Sequence, residues 1–161
     1  RGSPVNYPII MKMTALYQSP LGPLYFIEED ERLVEVGFGE RAETSTTPLL
    51  REAMRQMDAY FNDTLTRFDL PLHPRGTEFQ LKVWEALKTI PYGQTRSYRD
   101  IARIVGNVKA VRAVGGANNK NPISIIIPCH RVIGKSGKLI GYGGGLEKKA
   151  WLLAFEKRTP S

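Results

Sequence analysis

Leu50, Met54, Met57 and Phe61 recur at intervals of four, three and four, a spacing that predicts a helix over residues 49–61 with one apolar face. Before it, Leu33, Val34, Val36 and Phe38 mix alternation with β-branching around the acidic turn Glu28-Glu29-Asp30-Glu31-Arg32. That pattern predicts two short strands over residues 25–38. Residues 44–48 read as a polar loop, residues 66–72 as a further strand, and residues 71–76, rich in proline, as a linker. The second half opens on a helix, with Thr77 as N-cap and Phe79, Val83, Ala86, Leu87 and Ile90 on one stripe. Pro91-Tyr92-Gly93 ends it in a turn. Ser97 caps a second helix that turns Tyr98, Ile101, Ala102 and Val105 to the core. Gly106-Asn107 breaks the chain before a third helix over residues 108–116. The apolar run 123–127 predicts a buried strand stopped by Pro128. A closing helix over residues 147–157 is expected to bury Leu146, Ala150, Trp151 and Leu153.

These elements divide the chain into two parts. Residues 1–72 form an α/β (α+β) domain with a small antiparallel sheet. Residues 77–157 form a mainly helical, winged-helix-like domain in which two short helices joined by a tight glycine turn make a helix-turn-helix. An ordinary αα-hairpin is the alternative reading of that turn. The first ten residues are expected to stand outside the fold, Arg1-Gly2-Ser3 as added sequence and Met11 or Met13 as the native start.

Charge changes the picture more than composition does. Residues 1–76 carry eight Lys/Arg against eleven Asp/Glu, whereas residues 77–161 carry fifteen against five. A half this basic reads as a surface for a polyanion. On the third helix Val111 and Val114 face inward, so Lys109, Arg112, Ala113 and Gly116 point out. That face offers too few polar side chains to read bases in a major groove. It suits sequence-tolerant contact in a minor groove, with Arg112 as the one long probe. No apolar run reaches the roughly 20 residues of a membrane span, and no secretory signal is visible. One cysteine and no disulfide framework suit a reducing cytosol.

That cysteine, Cys129, lies in Pro128-Cys129-His130-Arg131-Val132 at the end of the expected buried strand. A lone thiol is either a small core residue or a nucleophile. The neighbouring base and cation favour the nucleophile, because charge nearby stabilises the thiolate. Gly134-Lys135-Ser136-Gly137 resembles a phosphate loop only superficially, since a Walker A motif needs glycine where Cys129 stands. Gly141-Tyr142-Gly143-Gly144-Gly145 reads as a loop whose backbone passes close to a ligand, with Tyr142 as a pocket wall. Glu156 sits near the C-terminal end of the last helix, a poor dipole position for an anion. It therefore invites a partner such as a histidine, a solvated surface glutamate being the alternative.

Pro128-Cys129-His130-Arg131-Val132 resembles the active-site motif of the O6-alkylguanine-DNA alkyltransferases. Residues 112–118 (Arg-Ala-Val-Gly-Gly-Ala-Asn), Asn121-Pro122, Gly141-Tyr142-Gly143-Gly144-Gly145-Leu146, Trp151-Leu152-Leu153 and Glu156 extend the resemblance at family spacing over about residues 76–156. The first half matches loosely, through Ser19-Pro20-Leu21-Gly22-Pro23-Leu24. The resemblance implies repair of duplex DNA by irreversible transfer of an alkyl group from O6 of guanine, and from O4 of thymine, to Cys129. It implies base flipping, one turnover per molecule, no cofactor, and a monomer whose cooperativity on DNA is open. Some relatives hold a structural zinc in the N-terminal domain, but that half has no cysteine and one histidine here, His73, so no metal is expected. The resemblance assigns Cys129, a water, His130 and Glu156 to the reactive relay, with Asn121 ordering the loop. It casts Tyr98 as displacing the 3′ phosphate and donating to guanine N3, Tyr142 as packing on the flipped base, and the Gly143 N–H as donating to O6. The carbonyls of Cys129 and Val132 accept from the exocyclic amine, and Arg112 fills the vacated stack. Gly143 and Ser124 depart from residues found in many or some relatives, serine and proline respectively. The rival readings are a DNA-binding protein that recognises alkylated bases without transfer, and a Cys–His hydrolase.

Overall fold

The structure, a computed structural model, describes residues 11–158, so the expectation for the first ten residues lies outside the described residues. Its N-terminal half is an antiparallel sheet of three strands, β1 (Met13–Ser19), β2 (Gly22–Glu29) and β3 (Arg32–Phe38), in the order β1-β2-β3. The β2–β3 hairpin turns on Asp30 and Glu31, both at positive φ (51° and 60°), as a two-residue turn matched to strand twist requires. The first strand has no clear alternation in its sequence; it forms by pairing in register with β2, from Met13↔Glu28 to Ser19↔Gly22.

Helix α1 (Pro48–Phe61) packs across the sheet through Leu50, Ala53, Met57 and Tyr60. Thr47 caps it by accepting from the Leu50 N–H at 3.0 Å, and the same hydroxyl donates to the buried Glu28 carboxylate. Residues 66–72 are not a strand. The Asp69 backbone pairs with the Gln56 side chain instead, accepting at 3.0 Å and donating at 2.9 Å. Only a single bridge, Leu33↔Leu72, touches the sheet, because Pro71 has no N–H to extend it.

The second half is mainly helical. Thr77 and Gln80 form a reciprocal capping box at α2 (Glu78–Leu87), and Ser97 with Asp100 does the same for α3 (Tyr98–Ile104). Trp84 on α2 donates from Nε1 to the Ala117 carbonyl at 2.8 Å and so fixes α4 (Val111–Asn119). The third helix begins and ends three residues later than expected. The Asn107 side chain accepts from the Lys109 N–H at 3.3 Å and holds the preceding segment as a turn, so Lys109 precedes the helix. No breaker then intervenes before Asn121-Pro122.

Residues 123–127 are a buried turn, not a strand, with Ile125 at φ 69°. Asn121 supplies the hydrogen bonds a sheet would have given. Its side chain accepts from the Ile123 N–H at 3.0 Å and donates to the carbonyls of Ile123 (3.2 Å) and Ile127 (2.8 Å). One bridge, Val36↔Ile123, ties this turn to the edge of β3. Two residues each from β4 (Arg96–Ser97) and β5 (Val132–Ile133) pair in parallel. The closing helix α5 (Leu146–Arg158) buries Lys149, Leu152, Phe155 and Glu156. Leu146 and Ala150 are exposed and Trp151 and Leu153 half-buried, so the buried face is not the one hydropathy selects. A single hydrophobic core runs through both halves, from Phe26 and Leu50 to Val114 and Leu152.

Candidate active site

Pro128 stops regular pairing, and residues Cys129–Arg131 wind into one 3-10 turn, so Cys129 is not at a strand end. All three side chains of this turn are buried. His130 and Arg131 both reach Glu156 on α5. His130 Nε2 lies 2.7 Å from Oε2 of the carboxylate. Arg131 donates from Nε to Oε1 at 2.8 Å and from Nη2 to Oε2 at 3.0 Å, and from Nη1 to the Ile90 carbonyl at 2.8 Å. Tyr60, from α1, donates to the same Oε2 at 2.6 Å. Glu156 is thus no solvated surface residue. Burial alone would raise its carboxyl, but the hydrogen bonds and charges of His130 and Arg131 outweigh that and hold it well below the carboxylate range.

This arrangement corrects one expectation. The Arg131 charge is committed to Glu156 and does not face the thiol. The cation that bears on Cys129 is Lys149, a fully buried lysine two helical turns before Glu156. Burial pushes the Cys129 thiol up to about 11, against the pull of the Asn121 side chain and the Lys149 charge. Burial also lowers Lys149, to about 8. Its Nζ donates to the carbonyls of Ile140 (2.8 Å) and Gly141 (3.3 Å). His130 is lowered by burial, opposed by Glu156, so the imidazole is neutral at physiological pH. With Glu156 ionised, Nε2 carries the proton and Nδ1 is a bare acceptor.

Among the described residues, three buried side-chain polar atoms have no hydrogen-bond partner: His130 Nδ1, Asn118 Oδ1 and the Tyr142 hydroxyl. Unpaired buried groups are costly, so each of the three is open to a partner that the protein itself does not supply. A thiolate at Cys129 bears on both Tyr98 and Tyr142, though burial is the larger cause of their raised pKa values. The Tyr98 hydroxyl donates to the Ile140 carbonyl at 2.8 Å, an acceptor it shares with Lys149. Gly143 is exposed in the loop after Gly141, and Val132 is buried beside the thiol turn.

On α4, Arg112, Ala113 and Gly116 are exposed while Val114 and Ala117 are buried, so the outward face is the expected one. Lys109 is exposed too, in the turn ahead of the helix. Asn118, Lys149 and Tyr60 escaped the sequence reading. A signal for Lys149 existed: Lys149, Leu152 and Glu156 fall at i, i+3 and i+7, one helical face with a charge at each end. Tyr60 had none, since it reads as one more residue of an apolar stripe. Among the described residues no cluster of three or more His, Cys, Asp or Glu could hold a metal ion. No helix among them is long and apolar enough to cross a membrane.

Comparison with known proteins places the chain in a family. Residues 12–74 match the family model for the 6-O-methylguanine DNA methyltransferase, ribonuclease-like domain, and residues 78–158 match the model for its DNA binding domain. The chain is similar to a methylated-DNA–protein-cysteine methyltransferase of Methanosarcina acetivorans, with 51% identity over 88% of this chain and 96% of that one. A constitutive methylated-DNA–protein-cysteine methyltransferase of Bacillus subtilis is 46% identical over 87% of this chain and 92% of that protein. The crystal structure of the Mycobacterium tuberculosis O6-methylguanine methyltransferase superposes with a TM-score of 0.86 at 46% identity, covering 94% of this chain and 96% of that one. A structure from the same organism in complex with DNA gives 0.85 at 48% identity, over 92% and 96%.

Proposed function

The chain belongs to the 6-O-methylguanine DNA methyltransferase family, and on that premise we propose that Cys129 takes an alkyl group directly and irreversibly from O6 of guanine in duplex DNA. The chemistry is DNA repair by direct alkyl transfer to a cysteine. The observation that carries the assignment to Cys129 is the bare Nδ1 of a neutral His130 whose Nε2 is held by Glu156, in the same turn as the chain's one thiol.

The thiol is protonated at rest, so the reaction begins with loss of its proton through a water to His130 Nδ1. Glu156 stabilises the imidazolium that results, and Lys149 favours the thiolate. Sulfur then attacks the alkyl carbon. The S–C bond forms as the C–O6 bond breaks, and the electron pair leaves on guanine. Tyr98 exchanges its bond to the Ile140 carbonyl for one to guanine N3, and the Gly143 N–H donates to O6. Tyr142 covers the base, whose exocyclic amine is read by the carbonyls of Cys129 and Val132. Asn121 fixes the turn that carries the cysteine. O4 of thymine presents the same kind of leaving group. The thioether is stable, so each molecule acts once.

The base must leave the stack to reach a thiol this buried. The exposed face of α4 and the turn before it, with Arg112, Ala113, Gly116 and Lys109, enter the minor groove, and Arg112 fills the gap. The protein acts as a monomer on duplex DNA in a reducing cytosol. Intact-mass measurement tests the assignment. Incubation with an O6-methylguanine duplex adds one methyl group to Cys129, and Cys129→Ala binds DNA but gains no mass. No covalent change would favour the binding protein without transfer, and a transient adduct would favour the hydrolase.

A further inference from the structure

The N-terminal sheet touches the candidate active site at one strand edge, and that edge meets both loops that build it. Val36 donates from its N–H to the Pro122 carbonyl and accepts from the Ser124 N–H, each at 2.9 Å, which fixes the turn leading to Cys129. Two residues further along β3, on the same face, is Phe38. Its ring meets the Tyr142 ring edge-on, with centroids 6.1 Å apart and planes at 64°. The backbone of Gly144 lies so close that a β-carbon built there would stand 2.6 Å from Phe38 Cδ2 and 2.8 Å from Cε2. Lys148 Nζ sits 5.6 Å from the centroid of the same ring.

The loop is also held by three residues of the C-terminal half. Tyr98 and Lys149 donate to the Ile140 carbonyl, and a β-carbon on Gly141 would meet the Asn119 side chain at 2.6 Å. The Tyr98 bond is released when Tyr98 turns to a substrate, while Lys149 keeps its own. Phe38 is not part of that exchange. It bears on the middle of the loop, at the residues on either side of Gly143.

We propose that Phe38 is a positioning residue for alkyl transfer: from the other half of the chain, it presses residues 142–144 into the shape that receives the flipped guanine. The inference rests on the reading of Tyr142 and Gly143 as guanine contacts. The contacts of the Phe38 ring are with Tyr142, Gly144 and Lys148. Its effect is therefore on capture of the base and not on the reactivity of the thiolate.

The test is a saturation series of single-turnover reactions with free O6-methylguanine base, which needs no flipping. Phe38→Ala raises the half-saturating concentration about three- to tenfold, the worth of one aromatic edge contact, and leaves the limiting rate within about twofold. Phe38→Tyr keeps the ring and restores capture. Gly144→Ala alone raises the same concentration, because its methyl group meets the ring. In the Phe38→Ala background it costs much less, because the ring is gone. Should Phe38→Ala not fold, Phe38→Leu carries the same comparison. A lower melting temperature with unchanged half-saturation would make Phe38 a purely structural residue and overturn the proposal. Equal cost of Gly144→Ala in both backgrounds would overturn it as well. Tyr142→Ala separates the two levels. If it raises half-saturation and Phe38→Ala does not, the positioning role fails alone. If neither does, the reading of Tyr142 as a guanine contact fails first.

Discussion

Replacing Glu156 by Gln removes one charge while keeping the shape of a side chain that five hydrogen bonds hold in place. Oε2 accepts from Tyr60 at 2.6 Å, His130 Nε2 at 2.7 Å and Arg131 Nη2 at 3.0 Å, while Oε1 accepts from Arg131 Nε at 2.8 Å and from the Gly93 N–H at 3.5 Å. An amide offers one oxygen and one NH2 group. Its better orientation puts the oxygen where three donors converge and sets the NH2 against Arg131 Nε and the Gly93 N–H. Those two donors are left without an acceptor, and the buried guanidinium loses its counter-charge. Breaking a buried pair costs about 3–5 kcal/mol, and the bonds that survive place this case near ~3 kcal/mol. For a chain of this size that lowers the melting temperature by about 6–12 °C. The same orientation leaves Nε2 as the donor, so His130 keeps its bare Nδ1 and stays a base. What it loses is a charged partner for the imidazolium. A charge-assisted bond is about twice as strong as a neutral one, and the difference, ~1.4 kcal/mol, is about tenfold in rate. Stability against pH separates this from a generic loss. Because Glu156 is held below its ordinary range, its contribution is present above that range and is lost as pH falls through the lower folded value. His130, also depressed, loses its contribution below about 6.5 in the same direction. Urea titrations at neutral and acid pH, with single-turnover rates on free base, measure all three effects. A variant that reacts at the wild-type rate and loses stability in acid as steeply as the parent would refute the reasoning.

Two further outcomes concern DNA. Arg112→Ala slows repair in duplex much more than reaction with free O6-alkylguanine: losing ~1.4 kcal/mol from a rare flipped state lowers its population about tenfold, and a free base has nothing to flip. Equal losses on both substrates at saturation would place Arg112 in the reactive pocket or in folding instead. Affinity for duplex falls steeply with salt and varies little with sequence, as fifteen Lys/Arg against five Asp/Glu in residues 77–161 require; a flat salt dependence in a binding titration would show that this charge is not the DNA footprint.

The elements with a local cause were readable from the chain. Thr77 and Ser97 announced their helices because an N-cap is a property of four consecutive residues. The acidic hairpin and α1 came from period two and period 3.6. The failures were non-local. β1 exists by pairing with β2, and residues 66–72 found their hydrogen bonds in Gln56 and not in a sheet. Residues 123–127 had the composition of a buried strand, and burial was right. The conformation was not, because one side chain, Asn121, satisfied the backbone that a neighbouring strand would otherwise have paired.

The misread face of α5 has its cause in the chemistry of the site. Hydropathy assigns the inward face to Leu146, Ala150 and Leu153, yet the helix buries Lys149 and Glu156. A charge is buried only where partners receive it. Glu156 has Tyr60, His130 and Arg131, and Lys149 has two loop carbonyls and the thiol's field. Those partners come from α1, the thiol turn and the loop after Gly134, and none is adjacent in sequence. The face that violates the apolar pattern is the face that holds the proposed relay, because a relay needs charged groups held away from water. Local pattern and functional burial conflict on this helix for that reason. The spacing of Lys149, Leu152 and Glu156 at i, i+3 and i+7 was therefore a better guide to the inward face than the apolarity of its neighbours.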